Sequence, residues 1–389
     1  MWLLGWVSFF TDTASEIVYP LLPLYLTRVI GAGAMSLGVI EGVAEAANSV
    51  LKIWSGLLAD RTGAPKRLVI AGYGLSSFMR PFIGAATSWT QVLGLRFVDR
   101  LGKGIRGAPR DAMLAVFAST SNRGRVFGFH RAMDHAGAVV GPLIASAFLY
   151  FRPEDYRTLF ALTIVPGIIV MLILFIVPEP KREAAPGTPA TGVAALDESL
   201  RALPADFYRA LIVISIFSLG NASDAFLLLR MSDLGIAPFW IPLLWSALHV
   251  VKTVASAAGG ELSDRLGRRA LIGSGWMVYA LVYAAFGAFE ATPAIVPVFL
   301  AYGVYFGLTE GVEKAWVADL SSANARGTAF GIYNAVLGLG GLAASLLFGA
   351  IWTSVSPSAA FYTGAALAAI ATVLLAALFS SQPHRRSGS

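Results

Sequence analysis

Along the chain, apolar residues gather in runs of roughly twenty, the length a helix needs to cross a hydrocarbon core. Short polar turns separate the runs. The first six fall at 2–28, 36–58, 68–88, 91–116, 124–150 and 157–178. Six more follow at 209–231, 238–262, 269–290, 294–318, 327–352 and 358–380. This pattern predicts an all-α membrane protein of 12 transmembrane helices. Residues 179–208 between the sets hold Pro180, Pro186, Pro189 and Pro204 with Lys181, Arg182, Asp197 and Glu198, and read as a polar linker. The expected organisation is therefore a bundle over 1–178, a linker over 179–208, a second bundle over 209–380 and a tail over 381–389. The first run begins at once, so it is expected to act as an uncleaved signal-anchor.

Composition narrows the classes. Of 389 residues, 56% are hydrophobic and 13% charged, against roughly 25% charged in soluble domains. That is too little charge to cover a soluble surface. The mean hydropathy is +0.68. No cysteine is present, which excludes disulfides, thiolate metal sites and a cysteine nucleophile. The net charge of +6 is spread along the chain rather than gathered into one patch, so no nucleic-acid partner is expected. Loop charges set the orientation. Arg61, Lys66, Arg67, Arg123, Arg125, Arg265, Arg268, Arg269 and Arg326 follow spans two, four, eight and ten, with Lys181, Arg182, Arg385 and Arg386 in linker and tail. The opposite loops show Arg28, Arg152 and Arg157. Both termini are therefore expected in the cytoplasm, with the chain in the cell inner membrane.

The halves repeat each other. Gly56-Leu-Leu-Ala-Asp60-Arg61-Thr-Gly63 aligns with Gly260-Glu-Leu-Ser-Asp264-Arg265-Leu-Gly267. Arg123-Gly124 with Phe127-Gly128 aligns with Arg326-Gly327 and Phe330-Gly331. Two parallel repeats imply a pseudo-twofold axis along the membrane normal and a binding site between the halves. The doubled Gly-x-x-x-Asp-Arg-x-Gly-x-(Arg/Lys) loop resembles the signature of the major facilitator superfamily. Arg100-x-x-Lys103-Gly104 is similar to that family's Arg-x-x-Gln-Gly motif, with lysine for glutamine. Gly137-x-x-x-Gly141-Pro142 resembles the span-five motif of its drug:proton antiporters, although Ala145 and Ser146 replace the usual paired glycines. The run from Asp99 to Ala112 also resembles a prokaryotic branch that includes nickel-resistance permeases. The resemblance covers nearly the whole chain. It implies two pseudo-symmetric six-helix bundles with spans one, four, seven and ten lining a central cavity.

Charges inside the spans supply candidate chemistry. On a helical wheel, Arg96, Asp99, Arg100, Lys103, Arg106, Arg110 and Asp111 of span four share an arc of about 140°. A charge facing lipid at the bilayer centre costs roughly 2.5–3.5 kcal/mol, so this face must line water or meet counter-charges. Pro109 predicts a kink beside it. Asp12 and Glu16 in span one, Glu41 and Glu45 in span two, His130, Arg131, Asp134 and His135 in span five, Asp224 in span seven, and Glu310, Glu313 and Lys314 in span ten are the available partners. The spacing pairs His130 with Asp134 and Arg131 with His135. Desolvation and mutual repulsion favour a bound proton on Asp12 or Glu16, with Glu16 preferred as the deeper. The loop residues Gly56, Asp60, Arg61, Gly63, Lys66 and Arg67, and Gly260, Asp264, Arg265, Gly267, Arg268 and Arg269, read as a latch closing the cytoplasmic side. Gly137, Gly141 and Pro142 read as tight packing and a bend.

The sequence thus predicts a monomeric secondary transporter working by alternating access, most readily proton-coupled export of a small polar or charged solute. The alternative is efflux of a divalent metal or its chelate, with nitrogen and oxygen ligands only. No nucleotide-binding loop of the Gly-x-x-x-x-Gly-Lys-(Ser/Thr) type is present, so ATP does not drive it and no cofactor is expected. An intramembrane hydrolase or a sensor is the remote rival, for want of a Ser-His-Asp arrangement or a signalling domain.

Overall fold

A computed structural model describes residues 2–62, 65–116, 123–179, 201, 203–321 and 326–379. Gly63, nearly all of the linker and the tail lie outside these. The apolar runs form helices, since in hydrocarbon a helix satisfies its own backbone polar groups. In chain order they are α1 (Trp2–Val18), α2 (Ala34–Thr62), α3 (Pro65–Ile83), α4 (Trp89–Val116), α5 (Arg123–Phe151) and α6 (Ile164–Ile176). There follow α7 (Ala205–Gly220), α8 (Trp240–Leu266), α9 (Arg268–Ala288), α10 (Thr292–Asp319), α11 (Arg326–Ser354) and α12 (Pro357–Phe379). Among the described residues no strand occurs, and seven helical segments are long and apolar enough to cross a membrane. α4, with its seven charges, is not one of the seven.

Three apolar runs are interrupted where one helix is expected. Past Val18 the first continues as a 3₁₀ turn (Tyr19–Leu21) and, at Tyr25–Val29, a π turn. Pro20 and Pro23 each remove an N–H from the ladder there. The run 209–231 is likewise not one span. α7 stops at Gly220, and a separate helix Ala225–Asp233 resumes after an irregular stretch. Tyr279 Oη donates to the freed Gly220 carbonyl at 2.9 Å, so the break is satisfied from α9. The sixth run is also split, with a short helix at Tyr156–Ala161 ahead of α6. Asp155 caps that helix by accepting from the Thr158 N–H at 3.3 Å. Hydrogen bonding from Thr158 holds the Asp155 carboxyl below the usual carboxylate range.

Burial is inverted relative to a soluble protein. Phe151 and Ile176 are 80% and 71% exposed, while Arg80 and Arg96 are 3% and 2% exposed. A lipid-facing exterior and a charged interior explain both values. Helices meet closely where glycine allows. Gly137 and Gly141 on α5 lie against the Phe9 and Thr13 carbonyls of α1, and a Cβ at Gly141 would sit 2.5 Å from the Thr13 oxygen. Between the halves, Gly38 and Gly42 of α2 face Ser345 and Leu342 of α11.

The position of α4 is fixed by charge. Arg80 Nε of α3 meets Asp99 Oδ1 at 3.0 Å, and its Nη1 donates to the Thr11 carbonyl of α1 at 3.1 Å. Arg96 Nη2 reaches Glu41 Oε1 of α2 at 2.6 Å, while its Nη1 lies 3.7 Å from Asp99 Oδ2. Ser76 Oγ donates to the Asp99 carbonyl at 2.8 Å and accepts from Arg106 Nη1 at 2.8 Å. All four ion-pair partners are buried. The second half substitutes aromatic contact for charge: Phe217 stacks on Trp276 at 4.7 Å and Tyr279 on Tyr283 at 4.0 Å.

Arg80→Met should destabilise the protein by about 3–5 kcal/mol, because it strands a buried carboxylate. Adding Asp99→Leu should recover most of that loss, since Arg96 keeps Glu41. Thermal melts of the two single variants and the double variant form the cycle; additive losses would show that the pair is not coupled. Gly141→Val should lower the melting temperature by overpacking worth about 1–3 kcal/mol. A melt matching wild type would mean that α1 and α5 separate freely.

Candidate functional site

Two adjoining cavities of about 430 and 560 Å³ lie between the halves, and Glu16 and Lys103 line both. Calling the end where α1 starts the near side, hydrogen bonds between the halves cluster on the far side among the described residues. Ser146 Oγ donates to the Phe239 carbonyl at 2.7 Å, and Ser246 Oγ to the Val139 carbonyl at 3.0 Å. Arg28 Nη2 donates to Ser232 Oγ at 3.1 Å, and the Tyr19 and Ser223 hydroxyls lie 3.4 Å apart. The second cavity is lined by Asp111, Arg131, Glu310 and Lys314, all exposed, and opens to the near side.

The first cavity has walls of different character. From the first half come Glu16, Tyr19, Glu41, Glu45, Arg100 and Lys103. Arg100 Nε is buried with no hydrogen-bond partner among the described residues. From the second half come Asn221, Asp224, Trp245 and Phe306. The break after α7 delivers Asn221 and Asp224 to this wall. Asp224 Oδ1 accepts from Tyr302 Oη at 2.7 Å, and its Oδ2 lies 3.4 Å from Lys252 Nζ.

At the junction of the cavities, Glu16 Oε2 accepts a hydrogen bond from Trp245 Nε1 of α8 at 2.8 Å, with His249 Nε2 at 4.0 Å. This carboxylate therefore reaches from one half into the other. Trp245, His249 and Lys252 share one face of α8, at i, i+4 and i+7. Sequence reading had no signal for their convergence on acids of distant spans.

In the second cavity, Asp12 joins Arg106, Arg110 and Asp134. Arg106 leans into the protein, its guanidinium 4.4 Å from the Tyr73 ring centre. Arg110 is taken up by its own neighbour, Nη2 to Asp111 Oδ1 at 2.9 Å. Asp134 receives the Ser8 hydroxyl, His130 Nδ1 at 3.5 Å and Arg131 Nη1 at 3.8 Å. Arg131 thus pairs with Asp134 rather than with His135, the partner its i+4 spacing suggests, because Asp134 brings a carboxylate within reach. Lys314 Nζ meets Glu310 Oε1 at 3.3 Å.

Glu313 lies elsewhere. It is enclosed in the second half, accepting from Trp276 Nε1 at 2.9 Å and Tyr333 Oη at 3.0 Å. Its place one residue before cavity-facing Lys314 turns it away from the cavity. Among the described residues no three His, Asp or Glu side chains converge to hold a metal ion.

The loop motifs are partly visible. α2 and α8 end at Thr62 and Leu266, just beyond the repeated acids. The side chains of Gly56, Asp60, Arg61, Gly260 and Asp264, and the whole of Gly63, lie outside the described set. Lys66 and Arg67 open α3. Gly267, with φ of +89°, turns the chain between α8 and α9. Arg268 Nε bonds Asp319 Oδ2 of α10 at 3.3 Å, and Arg269 Nη1 donates to the Phe379 carbonyl at 2.9 Å.

Known proteins share this architecture. The Major Facilitator Superfamily profile matches residues 4–309 and again 210–389. An uncharacterized MFS-type transporter of Methanocaldococcus jannaschii is 31% identical over 381 residues, 96% of this chain and 94% of the relative. Multidrug resistance protein MdtH of Aeromonas hydrophila is 24% identical over 345 residues, 88% of this chain and 84% of its own. Among solved structures, the nucleoside transporter NupG superposes with a TM-score of 0.77 at 13% identity, covering 98% of this chain and 99% of that one. Sequence relatedness over nearly the full length and a shared architecture agree with the repeat read from the loops: this chain belongs to the Major Facilitator Superfamily and is a secondary transporter, not an enzyme.

Proposed function

We propose that the chain is a monomeric proton-coupled exporter of a small polar or charged solute, working by alternating access in the cell inner membrane. The bundles over 1–178 and 209–380 rock about the central cavities, with both termini and the linker in the cytoplasm. The near side is then cytoplasmic, and the conformation described here is inward-facing. The observation that carries this reading is the Glu16–Trp245 hydrogen bond. It joins the two halves at the point where both cavities meet, so a rocking motion that opens the far side breaks it. Glu16 then loses a neutral donor and faces Lys103, which lines the same two cavities. A carboxyl that exchanges partners between states can carry a proton in one and a cationic neighbour in the other.

The direction of export rests on the span-five motif and on the likeness to the multidrug resistance protein MdtH. Asp60, Arg61, Asp264 and Arg265 are assigned the latch that closes the near side in the opposite state, with Lys66, Arg67, Arg268 and Arg269 around it. Asp12, Arg110, Asp111, Asp134, Glu310 and Lys314 form the charged vestibule below the solute.

Glu16→Gln keeps an acceptor for Trp245 but cannot bind or release a proton. In proteoliposomes it should abolish accumulation driven by a proton gradient while solute counterflow continues. A mutant that still concentrates solute, with proton flux intact, would move the coupling role to Asp134 or Asp12.

A further inference from the structure

Lys252 is held in a manner usual for a bound ligand. Its Nζ lies 3.5 Å from the centre of the Phe306 ring, 5.0 Å from that of Trp245 and 6.0 Å from that of Tyr302. The fourth partner is Asp224 Oδ2 at 3.4 Å. Rings within about 6 Å attract an ammonium through their negative faces, the arrangement by which proteins recognise alkylated amines. The box is assembled from three places. Trp245 comes from α8, Tyr302 and Phe306 stand one turn apart on α10, and Asp224 comes from the break after α7. Tyr302 has a second task, since its hydroxyl binds Asp224 Oδ1 at 2.7 Å and turns Oδ2 toward the ammonium. Nothing in this geometry distinguishes the chain's own amine from a foreign one. Asp224, Trp245 and Phe306 also line the first cavity, so the box is reached from the solute path.

We infer that Asp224, Trp245, Tyr302 and Phe306 form a binding site for organic ammonium groups, which Lys252 occupies as a tethered competitor in the absence of cargo. The inference rests on reading the central cavities as the solute path, and it names the chemical class of the cargo's headgroup. An entering ammonium exchanges one cation for another at Asp224, so the half-buried carboxylate is never left unpaired. The displaced lysine is on the same α8 face as Trp245, whose indole holds Glu16, and that carboxylate is a second acid on the same solute path. Cargo binding in the second half thereby bears on the acid assigned to coupling in the first.

The test uses the purified full-length protein in detergent with benzyltrimethylammonium as probe, its dissociation constant measured by calorimetry. Wild type should bind weakly and Lys252→Ala at least tenfold more tightly. Asp224→Asn or Phe306→Leu, each added to Lys252→Ala, should remove the gain, and benzenesulfonate should show none. Lys252→Gln, which keeps side-chain length without charge, repeats the comparison should the alanine variant not fold. A folded Lys252 variant that binds no more tightly than wild type would overturn the site. So would a gain that survives loss of the Phe306 ring, because it would then reflect only the removal of one positive charge. Binding as expected, with no ammonium solute transported in liposomes, would leave the site standing and sink the transport reading instead.

Discussion

Asp99 sits almost completely out of solvent, and a carboxylate in that position demands cations with fixed geometry. Arg80 and Arg96 provide them, and each arginine is anchored again, to the Thr11 carbonyl and to Glu41. One acid thereby ties α1, α2 and α3 to α4. The rotation of α4 follows, and with it the placement of Arg100 and Lys103 on the cavity wall. A buried ion pair contributes little net stability compared with apolar packing of the same volume. Its effect here is orientation, since no other rotation of α4 satisfies Asp99 and Arg96 together.

The second half reaches the same end with different chemistry. Stacked rings around Trp276, Tyr279 and Tyr302 fill the space that charge occupies in the first, and the Tyr279 hydroxyl satisfies the backbone where α7 stops. Two kinds of carboxylate therefore stand out among the described residues. Asp99 and Glu313 are enclosed by partners inside one bundle. Glu16, Asp12, Asp224 and Glu310 line the cavities, where their partners can change.

Much of this was legible beforehand because it is local. Runs of apolar residues, the repeated Asp-Arg loops and the charged arc of α4 each fit within a window of one helix. The expectation that the arc must meet counter-charges was physically sound, and Glu41 was among the acids named for it. Arg80 was missed because it stands alone in an apolar run beside Pro81, with its acid nineteen positions away on another helix. The break after Gly220 was also missed, since a glycine and an asparagine inside an apolar stretch are compatible with a continuous span. The meeting of Trp245 and His249 with Glu16 was missed for a related reason: their acid lies in the opposite half, at a separation of 229 residues for Trp245. Glu313 was counted among the charges of span ten, which the resemblance puts on the cavity, but it stands one residue before Lys314, and one residue on a helix is a turn of about 100°.

The backbone contacts of Gly137 and Gly141 with α1 have a mechanical meaning. Two helices whose main chains touch at successive turns cannot slide along one another without first moving apart, which a crowded interior resists. α1 and α5 therefore behave as a single strut. Whatever displacement one undergoes, the other shares, so Asp12 and Glu16 keep their spacing from Asp134 while their distance to α8 changes. Motion at the centre of the protein is thus channelled into a single coordinate, the gap between that strut and the opposite bundle.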